Sequence, residues 1–270
     1  MNVTVNRTAP ASLRDEIAQV PPVLEFNQHG HSPFLLTCDH YGRLIPRSLR
    51  GLGISDADAR RHIAWDIGIA GVAEQTSNAL DAHLVAQRYS RLVIDCNRPW
   101  EAASSIPVLS EATAIPGNEK LSADAIALRR ELIFAPYHAR IAQMLDERHD
   151  AGQPTILVSL HSFTPVYAGV ARPWHVGTLY NRDNRMAKLL LAALHAEGDL
   201  VVGDNEPYSV NDDSDYTIPV HGERRGLLHV GIEIRQDLIG DAAGEKTWAE
   251  RLTRILGALE NELHPKIIGA

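Results

Sequence analysis

Four short, mostly apolar runs dominate this sequence, and most of them stop abruptly at charged or imidazole side chains. The runs cover residues 34–38, 91–96, 155–160 and 227–234. Runs of this kind are typical of strands that are buried on both faces, as in a parallel sheet between two helical layers. A chain with several such runs has to cover both sides of a sheet, which narrows the fold class to α/β.

Amphipathic segments alternate with these runs. Helices are expected at about 55–80, 122–148, 183–195 and 246–263, and weaker strands at 174–180 and 200–203. We expect Ser122 to cap the second helix and Pro136 to break it. Residues 101–119, rich in Ser, Pro and Gly, are expected to form a long loop. The alternation predicts a single α/β domain over residues 1–270, with a mixed, mostly parallel sheet and helices on both faces.

Charge and composition argue against two classes of partner. Lys and Arg total 26 against 34 Asp and Glu, a net charge of −8, and no run of basic residues stands out. Such a chain repels nucleic acid and anionic membrane surfaces. No apolar stretch approaches the roughly 20 residues that span a bilayer, and residues 1–30 lack the apolar segment of a secretory signal. With only two cysteines, Cys38 and Cys96, the chain is expected to be cytoplasmic.

The polar residues around the strand ends are the best candidates for chemistry. They are Asp39, His40, Asn97, Arg98, His161 and Glu233. In α/β sheets, ligands bind in the crevice beyond the carboxyl ends of the strands, so we expect these side chains to converge. A zinc hydrolase needs three ligands from His, Asp or Glu, an open position and a nearby carboxylate, and this set contains such groups. Arg98 either binds a substrate carboxylate or pairs with Asp95.

Six motifs are spread along nearly the whole chain. They are Thr37-Cys-Asp-His-Tyr-Gly42 with Ile45-Pro46, Tyr89-Ser-Arg-Leu-Val-Ile-Asp-Cys-Asn-Arg98, Pro136-Tyr-His138, Leu160-His-Ser-Phe163, Asn205-Glu-Pro-Tyr208 and Gly231-Ile-Glu-Ile-Arg-Gln-Asp-Leu238. In this order they resemble the N-formylglutamate amidohydrolase, or deformylase, family. The resemblance implies a phosphorylase/hydrolase-like α/β fold similar to zinc carboxypeptidases and aspartoacylases. It also implies the hydrolysis of N-formyl-L-glutamate to L-glutamate and formate, in amino-acid catabolism and histidine degradation.

The same resemblance implies a zinc site. His40 and His161 occupy the two histidine positions of the family motifs and are expected to bind Zn²⁺. In carboxypeptidase-like relatives the third ligand is a glutamate shortly after the first histidine, but residues 41–46 contain no carboxylate. Asp66 is the predicted third ligand, with Asp39 as the alternative. Asp39 can instead form an Asx turn or orient a ligand histidine.

The resemblance also assigns catalytic and substrate-binding roles. Glu233 occupies the place of the general base, and its alternative role is an internal salt bridge with Arg235 or Arg98. Asn97 and Arg98 resemble the pair that holds the substrate carboxylate or polarises the scissile carbonyl, so Arg98 joins Glu233 as a catalytic candidate. Further substrate-binding candidates are His221, Arg225 and Tyr208.

Two other functions stay open at this point. One is a zinc hydrolase of the same fold that acts on another N-acyl amino acid or a short peptide. The other is a non-catalytic metal- or ligand-binding protein with a degenerate site, which the missing glutamate after His40 leaves open. The expected partner is a small molecule, and the expected assembly is a monomer or a small homo-oligomer.

Overall fold

The computed structural model describes residues 12–268, with side chains through residue 263. Its strands, in chain order, are β1 Val23–Phe26, β2 Phe34–Cys38, β3 His83–Gln87, β4 Leu109–Ser110, β5 Thr113–Ala114, β6 Ile156–Phe163, β7 Val166–Tyr167, β8 Val170–Ala171, β9 Val176–Leu179, β10 Val202–Asp204 and β11 Leu228–Arg235. Its α-helices are α1 Leu13–Gln19, α2 Ile69–Leu80, α3 Ala123–Arg129, α4 Ala135–Asp150, α5 Arg185–Ala196 and α6 Ala242–Ile268. The prediction that residues 1–30 contain no secretory signal concerns in part residues 1–11, which lie outside the described residues.

Seven of the strands form one mixed sheet in the order β1-β3-β2-β6-β11-β9-β10. The central strands β3, β2, β6 and β11 run parallel to one another. On either side of these four, β1 pairs antiparallel with β3 and β9 pairs antiparallel with β11, while the edge strand β10 pairs parallel with β9. The strands outside this sheet form two short hairpins, β4-β5 and β7-β8. The predicted α/β class with a mixed, mostly parallel sheet is confirmed.

Two apolar clusters cover the two faces of the sheet. Phe34 and Leu36 of β2 belong to one cluster, which includes residues of α2, α5 and α6. Leu35 belongs to the other, which includes residues of α1 and α4. This division follows from the alternation of side chains along a strand. Helices therefore lie on both faces, as the continuous apolar runs predicted.

The predicted strand at 91–96 is wrong. The chain forms turns there, and the strand of the sheet lies just before it, as β3. The backbone N–H of Arg91 donates to the carbonyl of Ala64. The backbone N–H of Asp95 donates to the carbonyl of Ser105, which lies in a different segment. The two hydrogen bonds therefore do not continue along one neighbouring strand, and no β-ladder forms. The apolar run indicated burial rather than strand geometry, and β3 was missed because its sequence, His-Leu-Val-Ala-Gln, begins and ends with polar residues.

The helix predicted at 55–80 begins only at Ile69, the first residue of α2. Gly68 precedes it with a left-handed φ of 79° and packs so closely on the main chain that a Cβ would lie 1.9 Å from the carbonyl oxygen of Ile239. Only glycine tolerates that conformation and that contact without strain. The turn at Gly68 separates α2 from the irregular segment that carries Asp66.

The helix predicted at 122–148 starts where expected, because the Ser122 hydroxyl accepts a hydrogen bond of 3.2 Å from the N–H of Ala125. Pro136 does not break it. A π-helical turn at Arg130–Phe134 joins α3 to α4, and Pro136 lies in the first turn of α4. Proline is tolerated there because it has no N–H to donate and the π-helical turn directly before it already departs from the α-helical bonding pattern, with the N–H of Ala135 donating to the carbonyl of Arg130.

The remaining predicted elements are confirmed with small shifts at their ends. They are β6, β9, β10, β11, α5 and α6. The largest differences are in α6, which was expected at 246–263 but spans Ala242–Ile268, and in β6, which was expected to stop at residue 160 but continues through His161 to Phe163. Within residues 12–268, no helix combines the length and the apolar character needed to cross a membrane.

Candidate active site

A cavity of about 650 Å³ lies beside the carboxyl ends of β2, β6 and β11. The predicted residues in its lining are His40, Asp66, Asn97, Arg98, His161, Tyr208 and Glu233. They come from strands and from irregular segments far apart in sequence. The structure thus brings most of the side chains singled out from the sequence into one place, as the strand-end pattern predicted.

His40, Asp66 and His161 form the innermost group, with one nitrogen or oxygen of each within 4.8 Å of the others. The Oδ2 atom of Asp66 lies 3.4 Å from Nδ1 of His40 and 3.0 Å from Nδ1 of His161. The backbone places these groups, because the N–H of Asp66 donates to the carbonyl of His40 at 3.0 Å. The N–H of Ser162 in turn donates to Oδ2 of Asp66 at 3.1 Å.

Each histidine of this group has a second carboxylate at its other ring nitrogen. Nε2 of His40 lies 2.8 Å from Oδ1 of Asp95. Nε2 of His161 lies 3.3 Å from Oδ2 of Asp39, whose other oxygen accepts a 2.7 Å hydrogen bond from the Thr217 hydroxyl. A proton held on Nε2 by a carboxylate leaves Nδ1 as a lone-pair donor facing Asp66. Asp39 thus has the geometry of a residue that orients a histidine.

The carboxylates of this centre are ionised. Burial opposes ionisation of Asp39, but the hydrogen bond and the charge of His161 outweigh it and lower the pKa of Asp39 to about 2. The same balance of burial against nearby positive charge lowers the pKa of Asp66 and Asp95 well below the usual range. Conversely, burial disfavours charging of His40 and His161, yet the surrounding carboxylates raise the pKa of both. The carboxylates therefore favour protonation of the two imidazoles, and the centre pairs opposite charges.

Arg91 is a site residue that the sequence did not reveal. Its Nε and Nη2 donate to Oδ2 of Asp95 at 3.0 and 2.6 Å. Its Nη1 lies 3.3 Å from Nδ1 of His40 and 3.5 Å from Oδ1 of Asp66. Arg91 and Asp95 were not recognised as site residues because a strand was predicted at 91–96. The sequence did contain a signal for them, because two oppositely charged residues that flank a buried apolar stretch, four residues apart, need each other as partners.

Glu233 stands directly opposite His161 in the parallel pairing of β11 with β6. It is 7% exposed, and its Oε2 atom has no hydrogen-bond partner. Burial, reinforced by Asp66, raises the pKa of Glu233 to about 7. Arg235, one of its suggested partners, is engaged with Asp237 at 2.8 Å instead. Glu233 is therefore a carboxyl group that takes up and releases a proton near neutral pH.

Comparison with known proteins identifies the family of this chain. The family model for N-formylglutamate amidohydrolase matches residues 32–240, which is most of the chain and includes His40, Asp66, His161 and Glu233. The chain belongs to this family. The family resemblance expected from the six motifs is confirmed.

Proteins similar to this N-formylglutamate amidohydrolase family member include a curated protein and two solved structures. N-formylglutamate deformylase of Pseudomonas putida is 29% identical over 150 residues, or 52% of this chain and 55% of that protein, so the match spans about half the length of the curated relative. A solved gene product of Agrobacterium tumefaciens is 38% identical, with a TM-score of 0.88 over 92% of this chain and 98% of that one. N-formylglutamate amidohydrolase from Ralstonia eutropha JMP134 shares the fold, with 18% identity and a TM-score of 0.67 over 92% of this chain and 100% of that one.

Arg98 and Asn97 both line the cavity of this family member, but they make different contacts. The Nη1 atom of Arg98 donates to the carbonyl of Ser214, and its Nε lies 3.9 Å from Oδ2 of Asp95. The side-chain oxygen of Asn97 accepts hydrogen bonds from the N–H groups of Tyr216 and Thr217 at 3.2 and 3.1 Å. Asn97 therefore fixes a neighbouring backbone segment, whereas Arg98 has donors left for a ligand.

The structure does not bring His221 and Arg225 to the cavity. Arg225 pairs with Asp146 at 2.6 Å, away from the cavity lining. His221 is buried, with its Nε2 3.1 Å from Nδ1 of His138. Burial lowers the pKa of His221 to about 3 and that of His138 to about 4, so both rings are neutral near pH 7. A neutral buried histidine does not attract an anion, which removes the reason for the predicted role of His221.

Tyr208, a substrate-binding candidate from the sequence, lines the cavity and lies on a segment that approaches the sheet closely. Its hydroxyl accepts a 2.8 Å hydrogen bond from Arg172, whose guanidinium also lies 4.6 Å from the centre of the Tyr208 ring. The approach depends on Gly177, since a Cβ there would lie 1.9 Å from the carbonyl oxygen of Glu206. This glycine lets the segment carrying Tyr208 reach over β9.

Proposed function

We propose that this protein is a metal-dependent amidohydrolase that removes the formyl group of an N-formyl amino acid. N-formyl-L-glutamate, the substrate in the family name, is the reference substrate and would yield L-glutamate and formate. Family membership supports the reaction class. The observation that carries the proposal is the presence, in one cavity, of a His-Asp-His group and an unpaired glutamate with a pKa near neutrality.

The residues of the inner group fit Zn²⁺. Two imidazole nitrogens and one carboxylate are a ligand set that zinc hydrolases use, and they leave one position open. The ionised Asp39, Asp66 and Asp95 supply negative charge that a divalent cation would balance. In this assignment His40, Asp66 and His161 are the ligands, while Asp39 and Asp95 orient the two histidines. When bound there, zinc would supply Lewis-acid chemistry, polarising the scissile carbonyl and acidifying water.

The chain's own groups would carry the proton transfers. The Glu233 carboxylate takes a proton from water as that oxygen attacks the formyl carbon, and the protonated carboxyl then gives it to the departing amine nitrogen. One C–O bond forms and the amide C–N bond breaks, so the products are formate and the free amino acid. Arg98 would hold the substrate carboxylate through its free guanidinium donors.

The non-catalytic alternative is less well supported. A protein that only binds a ligand has no use for a buried glutamate without a hydrogen-bond partner, because burying an unpaired carboxyl destabilises the fold. A cytoplasmic location also stays part of the proposal, supported by Cys38 and Cys96, which are buried free thiols. The predicted assembly, a monomer or small homo-oligomer, stays a prediction.

The test combines metal content with formate release. Purified protein should contain about one zinc per chain by elemental analysis, and should release formate from N-formyl-L-glutamate in a chelator-sensitive manner. Glu233→Gln should lower kcat by about 100-fold or more while metal content is unchanged. Glu250→Gln, on the exposed surface of α6, is the matched control with normal turnover. Full turnover by Glu233→Gln would exclude the assigned proton transfer, and absence of metal and turnover would favour the non-catalytic alternative.

A further inference from the structure

A guanidinium group without a carboxylate partner stands at the edge of the cavity. It belongs to Arg172, which directly follows β8 of the β7-β8 hairpin. Its Cζ atom lies 4.7 Å from the centre of the Tyr167 ring and 4.6 Å from that of the Tyr208 ring, and both tyrosines line the cavity. Its Nη1 donates to the Tyr208 hydroxyl, and among the described residues no Asp or Glu forms an ion pair with it. The charge of Arg172 is therefore not neutralised, and most of its donors are free.

Both the side chain and the backbone of Arg172 are held in place. The two tyrosine rings hold the guanidinium by cation–π contacts, which leave its N–H groups available for a ligand. Nη1 of Arg235 is shared among the carbonyl oxygens of Arg172, Pro173 and Trp174, at 3.5, 3.2 and 3.4 Å. Arg235 lies two residues after Glu233 on β11, so these contacts fix the segment of Arg172 against the strand that carries Glu233.

The Tyr208 hydroxyl links Arg172 to the reacting groups. Burial raises the pKa of Tyr208, and the nearby charge of Glu233 raises it further, whereas the Arg172 guanidinium opposes the rise. Charges act on a pKa in this way when they lie within several ångströms. The hydroxyl is therefore near both Glu233 and Arg172, and one tyrosine separates the free guanidinium from the carboxyl group proposed to transfer the proton.

A substrate with two carboxylates needs two cations at this cavity. N-formyl-L-glutamate has one carboxylate on its α-carbon and one at the end of its side chain. A carboxylate that leaves water without gaining a cation or hydrogen-bond donors is strongly destabilised. Arg91, in the lining, and Arg61, against it, are already paired with carboxylates of the chain. Arg98 is assigned to one substrate carboxylate, and Arg172 is available for the other.

We propose that Arg172 binds the side-chain carboxylate of the substrate and so determines the preference for an acidic side chain. The α-carboxylate stays with Arg98. This proposal rests on the proposed function and deepens it by naming the residue that recognises the side chain. Tyr167, Tyr208 and Arg235 are positioning residues that act by holding Arg172. The two sequence motifs that contain Tyr208 and Arg235 thereby gain a shared role.

The experiment compares N-formyl-L-glutamate with N-formyl-L-glutamine, which has nearly the same shape but no charge on its side chain. With zinc-loaded enzyme, kcat/KM should favour the glutamate derivative by about tenfold or more, the size expected for a hydrogen bond between charged groups. Arg172→Gln should remove most of this preference, chiefly by raising KM for the glutamate derivative, because the charge of that carboxylate does not change during the reaction.

Three further variants show which group makes the contact. Arg130→Gln is the matched control and should leave the preference unchanged, since Arg130 also lies over an aromatic ring, that of Trp100, but outside the cavity lining. Arg98→Gln should slow both reactions by a similar factor, because both compounds carry the α-carboxylate. Tyr208→Phe keeps the ring but removes the hydroxyl that accepts from Arg172, and should lower the preference less than Arg172→Gln does.

The outcomes distinguish this proposal from the proposed function. If the unmodified enzyme hydrolyses both compounds equally well, or if Arg172→Gln slows both by the same factor or leaves the preference intact, the proposal is wrong and the proposed function stands. If neither compound releases formate from zinc-loaded enzyme, the proposed function is wrong and the proposal falls with it. Should Arg172→Gln fail to fold, Arg172→Lys replaces it; lysine keeps the charge but lacks the planar guanidinium, so the preference should still fall.

Discussion

Replacing Glu233 by glutamine removes a buried carboxyl group whose pKa is raised from 4.5 to about 7, chiefly by burial. Between these pH values the folded, metal-free protein holds a proton that the unfolded chain has already released. Unfolding therefore releases a proton, and the stability of the unmodified protein falls as the pH rises through this window. Glutamine has no such proton. We expect Glu233→Gln to become more stable, relative to the unmodified protein, as the pH rises from 4.5 to above 7.

The size of this change follows from the two pKa values. A pKa difference of one corresponds to about 1.4 kcal/mol, so the full window corresponds to about 3 kcal/mol in the free energy of unfolding. The other titrating groups of the centre, such as Asp39 and His161, are present in both proteins. The contribution of Asp39 cancels when the two proteins are compared at each pH, whereas His161 interacts with Glu233, so the measured change belongs to Glu233 together with its charged neighbours.

The assay is urea unfolding of chelator-treated protein at pH 4.5 and pH 8. The difference between Glu233→Gln and the unmodified protein should change by about 3 kcal/mol in favour of the variant. Glu250→Gln serves as the control, because the side chain of Glu250 is 69% exposed and its replacement should give no such change. A Glu233→Gln difference that is the same at both pH values would refute the argument from burial.

Three further predictions concern the metal site and the core. Asp66→Ala removes the carboxylate between the two imidazoles, so elemental analysis should find zinc reduced from about one per chain to near zero; retained zinc would exclude Asp66 as a ligand. Asp95→Asn removes the carboxylate at Nε2 of His40, and chelator competition should show a zinc affinity about 10- to 100-fold weaker. Leu36→Ala creates a cavity on the face of the sheet opposite the candidate active site. Urea unfolding should show a free energy of unfolding lower by about 2–5 kcal/mol, with zinc content unchanged. A smaller loss would mean that the surrounding core closes the gap.

The parts of the fold that follow from periodicity were predictable from the sequence. The runs that form β2 and most of β6 are buried at every position, which is the pattern of a strand buried on both faces. His40 and His161 were found because they follow such runs. Glu233 was found for a related reason. A carboxyl group between two buried isoleucines destabilises the fold unless it is paired or has a role in the site.

The parts that depend on irregular backbone were not predictable in the same way. Asp66 reaches the two histidines through turns that end at Gly68, and no periodic pattern describes such a path; only the family resemblance pointed to it. Arg91 and Asp95 were missed because an apolar run that is buried in turns has the same composition as one in a strand. His221 was misplaced because its sequence context gives no information on which neighbours bury it.

The pairing of β6 with β11 sets His161 and Glu233 side by side through main-chain hydrogen bonds. A shift of one residue in that pairing would turn one of the two side chains to the opposite face of the sheet, so the register of the two strands is what holds His161 beside Glu233. The segment carrying Tyr208 and Val210, by contrast, is a loop. In the proposed assignment, the residue that transfers the proton, Glu233, lies on a strand of the sheet, whereas the substrate-binding candidate Tyr208 lies on a loop. Over evolutionary time such a protein can acquire a new substrate through changes in its loops while the reacting centre stays intact.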